Sequence, residues 1–391
     1  MHNQIYNDIL DKIQISNKPV LLIGNGIRLA KQQQVLLDIL EKIKIPVLST
    51  WKSFDLIDWH DLSFGRPGVI ATRYANFIVQ ECDLLISLGA RLDLCQVGFN
   101  YENFAPKAKK IIIDIDSAEL EKLTIPNTEK LCISLKSFLP KIVSIIKDRN
   151  ITYHNIEWLT HCKELQNKYP LEIESTNDVS LYAFFKELSL QLDKNHVVVP
   201  SSSGSASEVA YQALKIYNKG TRVLNTSGLG SMGFAIAESI GAYYASNRPI
   251  ITIEGDGSFT MNCQELAQIS AKKLPICIFI VNNGGYNSIL NSQNNLCGGR
   301  HLGINYDTGL YLPNICNIAK CFNILYRHFM FNRNLYRIPE ILEIAKNQPV
   351  ICELNCNINH QTQPRTKTYR NDKGELVSST MENMWPFIGD K

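Results

Sequence analysis

The sequence predicts an α/β protein built from two doubly wound parallel-sheet domains. Three observations carry that reading. Short continuous apolar runs ending in Gly, Ser, Thr or Asp recur along both halves of the chain. Polar segments long enough for crossover helices separate them, and 391 residues suffice for two such domains.

In the first half, Pro19–Gly24 (PVLLIG), Ile45–Thr50 (IPVLST), Cys82–Gly89 (CDLLISLG) and Lys109–Asp116 (KKIIIDID) read as strands covered on both faces. Leu131–Leu135 (LCISL) adds another. Together they define a first wound unit, residues 1–147. The stretch 148–179 is more polar and is punctuated by NKYP and ESTND, which marks a linker carrying a short helix around Ile156–Leu165. The second unit, 180–360, repeats the pattern. His196–Gly204, Thr221–Gly230, Arg248–Gly257, Leu274–Asn283 and Gln348–Leu354 each read as a strand then a polar turn, with a further buried segment at Phe322–Arg327. Their carboxyl ends carry Ser, Gly, Asp or Asn, and open α/β sheets bind ligands at those ends. Residues 361–391 are polar and read as an extension over the surface.

Hydrophobic residues make up 45% of the chain and charged residues 20%, with a formal net charge of +3. That composition gives ample core and no electrostatic case for nucleic acid or a membrane surface. No stretch nears the roughly 20 apolar residues that span a bilayer. The start, MHNQIYNDILDKIQ, lacks the apolar core of a signal peptide. Eleven cysteines lack CxxC spacing and lie mostly in apolar runs, as Cys277 does. They read as reduced core thiols and point to a reducing, cytoplasmic compartment.

The chemistry concentrates in Gly255–Asn283. Asp256 follows the apolar run IITI, and Ser258–Ala271 reads as a helix, so the acidic residue sits at a strand-to-helix turn. Gly255 and Gly257 let that turn pass close to a ligand, and a helix start offers N–H groups to an anion. A carboxylate in that place repels a phosphate unless a cation lies between them. Magnesium resolves the conflict, because it takes hard oxygen ligands and shares phosphate oxygens. The strand Leu274–Asn283 is expected beside the one ending at Asp256, so Asn283 adds an uncharged amide oxygen and Gly284–Gly285 frees a main-chain carbonyl. His301 and His328, in a loop and at a strand end, read as structural.

With GDG, a helix, an apolar strand and Asn-Asn in that order, the sequence resembles the thiamine diphosphate-dependent enzymes of the acetolactate synthase and pyruvate oxidase type. Their signature is GDG followed some two dozen residues later by NN. The resemblance implies that Asp256, Asn283 and the main-chain carbonyl of Gly285 bind Mg2+, with Gly255, Gly257 and Ser258 at the diphosphate. SGLGSMGFAIAESIGA (Ser227–Ala242) is similar to the segment that bends the cofactor, with Gly230 in its turn and Met232 supporting the folded shape. A plain core methionine is the alternative for Met232. PSSSGSAS (Pro200–Ser207) would bring Ser203, Gly204 and Ser205 to the other side of the diphosphate, unless it is an ordinary loop and helix cap. Tyr286, after the glycine pair, counts among the cofactor-binding residues.

Through KPVLLIGNGIRLA, IPVLSTWKSFDLID, FGRPG, CDLLISLGARLD and AKKIIIDIDSAEL, the first unit resembles the Rossmann-like central domain of the same family. The likeness therefore covers nearly the whole chain. Some relatives bind FAD or another nucleotide there, which would place Gly24, Gly26, Gly89 and Arg91 around it. A nucleotide fold that only braces the enzyme is the favoured expectation.

Family members usually carry a third wound domain, the pyrimidine-binding one, whose glutamate protonates the aminopyrimidine ring. It has no counterpart in this sequence. Glu238, Glu254 and Glu265 lie in the wrong domain for that role, so no catalytic residue is assigned. Ala237 stands where relatives often have Pro, and Leu290 and Ser292 where some have Arg and Thr, so the substrate stays open. The expectation is the large part of a split enzyme, a carboligase or lyase acting on the C–C bonds of a 2-keto acid. A separate pyrimidine-domain partner would complete it in a homo- or hetero-oligomer, and the chain alone would be inactive. The alternatives are a non-catalytic, cofactor-binding regulatory or scaffold protein, and a truncated gene product.

Overall fold

The computed structural model describes residues 4–173, 176–226, 228–370 and 373–388. The chain forms two compact units, Met1–Pro170 with Gln363–Lys391, and Leu171–Thr362.

The strands of the first unit are β1 (Pro19–Ile23), β2 (Ile43–Lys44), β3 (Val47–Ser49), β4 (Leu84–Leu88), β5 (Lys109–Asp114), β6 (Thr128–Cys132) and β7 (Tyr153–His154). Five form a sheet, parallel throughout, in the order β3-β1-β4-β5-β6, and β2 pairs with β7. β1 and β4 are buried at every position, which is why they read as unbroken apolar runs rather than as alternation. Helices Gln4–Ile15, Gln33–Lys42 and Leu135–Asp148 cover one face, where Ile9, Leu36 and Phe138 pack with Leu21, Ile86 and Ile111. Helices Arg73–Glu81 and Ile156–Lys168 cover the other, with Ile78 and Trp158 against Val20, Leu22 and Ile112.

Three details differ from expectation. The strand expected over Leu131–Leu135 ends at Cys132, because Ser134 caps the next helix by accepting from the Lys136 N–H at 3.3 Å. The stretch expected as a linker mostly belongs to the first unit. Trp158 is buried there and its indole N–H donates to Pro19 O at 3.1 Å, which fixes the helix Ile156–Lys168 against β1. The tail, expected as an extension over the surface and as a segment apart from the first unit, is also part of that unit. The buried Asn76 amide donates to Met381 O at 3.0 Å, Arg73 donates to Met384 O at 2.9 Å, and Arg365 and Trp385 exchange main-chain bonds.

The second unit contains β8 (Val197–Pro200), β9 (Arg222–Val223), β10 (Ile250–Gly255), β11 (Ile276–Asn282), β12 (Leu325–Phe329) and β13 (Val350–Asn355), all parallel, in the order β12-β13-β11-β10-β8-β9. The expected buried segment Phe322–Arg327 is shifted. Asn323 takes a left-handed conformation (φ 53°) just past the helix Ile315–Cys321, and β12 then runs along the sheet edge with only Phe329 buried. The helix expected over Ser258–Ala271 is broken into Asp256–Met261, a 3-10 turn Cys263–Glu265 and Leu266–Ala271. Asn262 leaves helical space, and its amide donates to Gly233 O at 3.1 Å. Registers of Ile253 with Pro200 and of Gly255 with Val281 bring the ends of β8, β10 and β11 side by side.

Candidate functional site

Asp256 leaves β10 at that shared edge, between the ends of β8 and β11, and is 5% exposed. Its Oδ1 accepts from the Gly257 N–H at 2.7 Å, and Oδ2 from the Gly284 and Gly285 N–H groups at 2.8 and 3.0 Å. Burial pushes its carboxyl up to about 6, although these N–H groups favour the charged form. Desolvation wins, so a cation here would relieve a buried negative charge.

Asn283 follows β11 directly. Its N–H leans on the Asp256 carboxylate, and its side-chain Oδ1 is buried without a hydrogen-bond partner. Buried acceptors are nearly always paired, and an open one beside a carboxylate suits a hard cation. Asn282 has the opposite fate. Its Nδ2 donates to Glu353 Oε1 at 2.6 Å, its Oδ1 accepts the Gly284 N–H at 3.0 Å, and Tyr326 donates its hydroxyl to the other Glu353 oxygen. The first asparagine thus braces the glycine turn while the second keeps a free oxygen. Sequence reasoning missed Asn282, Glu353 and Tyr326 as supports. Glu353 lies 71 residues beyond Asn282, on the neighbouring strand β13, and no local signal links the two.

Gly285 sits at φ 153°, and a Cβ there would come within 2.0 Å of Ile304 O, so only glycine fits this turn. A Cβ on Gly257 would meet the Tyr286 ring at 2.2 Å. Tyr286 therefore packs over the GDG turn. Ser258 Oγ accepts the Gly233 N–H at 2.7 Å. Ser203 precedes the helix Gly204–Ala213 with an extended backbone and makes no side-chain cap bond, so the N–H groups of that helix start are not closed by its hydroxyl. Ser205 is buried in the first turn. Gly230, Met232 and Gly233 form the loop before the helix Phe234–Ser246, with both glycines at positive φ and Met232 36% exposed. Ser227, at the start of this segment, lies outside the described residues. His301 is exposed and bonded to Asn294, and His328 lies on the edge strand β12.

Among the described residues, no three His, Cys, Asp or Glu side chains gather as metal ligands. A metal at Asp256 would rest on one carboxylate with amide and carbonyl oxygens, a hard set that suits Mg2+.

In the first unit the glycines singled out for a nucleotide, Gly24, Gly26 and Gly89, pack against one another. A Cβ on Gly24 would lie 2.0 Å from Gly89 O, and one on Gly26 would lie 2.7 Å from Gly89 Cα. The Gly26 N–H donates to Gly89 O at 3.0 Å, so their small size serves backbone packing between β1 and β4. Arg91 pairs with Glu119 at the surface.

Residues 6–142 match the family described as "Thiamine pyrophosphate enzyme, central domain", and residues 202–354 match "Thiamine pyrophosphate enzyme, C-terminal TPP binding domain". The chain belongs to the thiamine diphosphate-dependent enzymes. Within that family it is acetolactate synthase-like. It is 31% identical over 350 residues to an acetolactate synthase large subunit of Pyropia yezoensis, covering 88% of this chain and 58% of that one. Identity to the large subunit of Cyanidium caldarium is 36% over 277 residues, 68% of this chain and 46% of that one. Identity to the isozyme 2 large subunit of Escherichia coli (strain K12) is 32% over 272 residues, 68% and 47% of the two chains. The chain thus spans about half the length of the curated relatives it matches. The second match starts just after β8 and runs through β9, β10, β11 and β12 to Leu354 in β13, and so contains the GDG turn and both asparagines of this thiamine diphosphate-binding protein. No helix among the described residues is long and apolar enough to cross a membrane.

Proposed function

We propose that this chain holds thiamine diphosphate through a magnesium ion bound by Asp256, Asn283 and the carbonyl of Gly285, and that it is the diphosphate-binding part of an enzyme that makes or breaks a C–C bond of a 2-keto acid. The buried, unpartnered Oδ1 of Asn283 beside the desolvated Asp256 carboxylate carries the reading. When bound, the cofactor supplies the electron sink for bond cleavage or formation next to a keto group. The protein's own residues position and neutralise. Asp256 and Asn283 present oxygens to the metal, so that an anionic diphosphate can approach a buried carboxylate. The uncapped helix start at Gly204 faces an anion favourably. Met232, in the loop before the next helix, gives the cofactor an apolar support.

The wall carrying a carboxylate against the aminopyrimidine ring comes, in this proposal, from a pyrimidine-binding domain outside these 391 residues, on a second polypeptide or the same one. Two glutamates of the second unit are placed otherwise: Glu254 is committed to Ser201, and Glu265 sits in the 3-10 turn that follows Asn262. None of the eleven cysteines is joined in a disulfide, which supports a reducing compartment such as the cytoplasm. The test is turnover by the purified 391-residue protein with Mg2+ and thiamine diphosphate. Alone it should bind the cofactor and leave pyruvate unchanged. Adding a pyrimidine-domain protein should restore turnover, and a partner with that glutamate changed to glutamine should not. Ordinary enzyme rates from the 391 residues alone would refute the missing-wall proposal.

A further inference from the structure

Glu254 is fully buried on β10, two residues before Asp256 and registered with Ile280 of β11. A carboxylate in such a place destabilises the fold unless donors hold it. Ser201, the first residue after β8, donates its hydroxyl to Oε1, and the Gly255 N–H approaches the same oxygen at 3.3 Å. The Ser258 hydroxyl and the Ala235 N–H lie near enough to favour the charged form, although Oε2 closes no hydrogen bond of its own. Further links run outward from this centre. Ser258 Oγ accepts the Gly233 N–H at 2.7 Å, Ser202 donates to Ser231 O, and the Asn262 amide reaches Gly233 O at 3.1 Å.

These bonds join three segments that are distant in sequence: 201–205 after β8, 230–235 before and into the helix Phe234–Ser246, and 255–258 after β10. We propose that Glu254 is a positioning residue that holds these three strand-end segments at the spacing needed to grip a magnesium-bound diphosphate. It touches neither metal nor cofactor. Its effect is preorganisation, because segments already tied together lose less freedom when the ligand arrives. The inference rests on the thiamine diphosphate reading above.

The test uses the full chain, the variants Glu254→Gln and Ser201→Ala, and the double variant. Two diphosphate probes, Mg2+–thiamine diphosphate and Mg2+–pyrophosphate, are titrated by calorimetry, and Mn2+ alone by electron paramagnetic resonance. Each single variant should bind both diphosphate probes about tenfold more weakly. The double variant should be no worse than the weaker single one, since both changes cut the same tether. Affinity for Mn2+ alone, which Asp256 and Asn283 set, should stay within about twofold. Variants that bind like wild type, losses that add, or Mn2+ affinity falling in step with diphosphate affinity would each overturn the proposal. If Glu254→Gln fails to fold, Ser201→Ala decides on the same two affinities. Wild-type protein that binds neither diphosphate probe refutes the cofactor reading and this inference with it. Wild-type binding with unaltered variants refutes the positioning role alone.

Discussion

If Asp256 binds the proposed metal, protonating it should weaken divalent-cation binding. The carboxyl is pushed up to about 6 by burial, so it is mostly neutral at pH 5 and mostly charged at pH 7.5. A cation that binds only the charged form then loses about tenfold in apparent affinity between those pH values, because roughly one molecule in eleven stays ionised at the lower one. An aspartate left at its ordinary 3.8 would change by under about a tenth over the same range. The assay is a Mn2+ titration without cofactor, so that protonation of the diphosphate does not enter, read from the resonance of the free ion. Affinity should be level above the transition and fall by nearly a decade per pH unit below it. A flat profile would refute the raised carboxyl or its role as a ligand. The same shift acts on stability with a definite sign. A folded-state value above the unfolded one means that the group's contribution is complete below 3.8 and is lost as pH rises through about 6. For the metal-free protein the loss is on the order of 3 kcal/mol. Asp256→Asn should remove that pH dependence from the urea midpoint.

Further outcomes follow from the same geometry. Asp256→Ala should abolish magnesium-dependent binding of thiamine diphosphate, with EDTA mimicking the change, and equal calorimetric affinities for mutant and wild type would sink the assignment. Gly285→Ala forces a Cβ to within 2.0 Å of Ile304 O at a positive φ. It should lower stability by about 1–3 kcal/mol, read as a fall in thermal midpoint, with the metal turn displaced. The loop carrying Leu229, 89% exposed, and Met232 leaves apolar surface at the strand-end edge of the second unit. The protein should therefore self-associate or bind a pyrimidine-domain partner, and a strictly monomeric species in sedimentation, unchanged by that partner, would count against it.

Much of the fold was legible because strands buried on both faces must be apolar throughout. PVLLI and ICIFIV announce themselves in that way, as does the GDG turn after IITI, where local order alone places a carboxylate at a strand end. Boundaries set by distant contacts were not legible. Nothing in the polar run after Lys147 shows that Trp158 will reach Pro19 O, or that the tail will be tied to Asn76. The pair Asn282–Asn283 reads as a unit in sequence. Its two members separate only in three dimensions, because the side chain of Asn282 reaches Glu353 on the adjacent β13 while the Asn283 oxygen is left open. Glu254 likewise looks like one more acidic residue in a strand. Its role depends on Ser201 and Ser258 arriving from different turns, a meeting that parallel sheet order decides and periodicity cannot encode. Sequence alone therefore determined the two parallel-sheet units, the family and the place of the candidate oxygen donors at the strand ends, since each is written in short-range order. Tertiary structure decided which donors remain free, which carboxylate is desolvated and which residues hold the turns in place, because burial and hydrogen-bond competition arise only when strands from separate parts of the chain lie side by side.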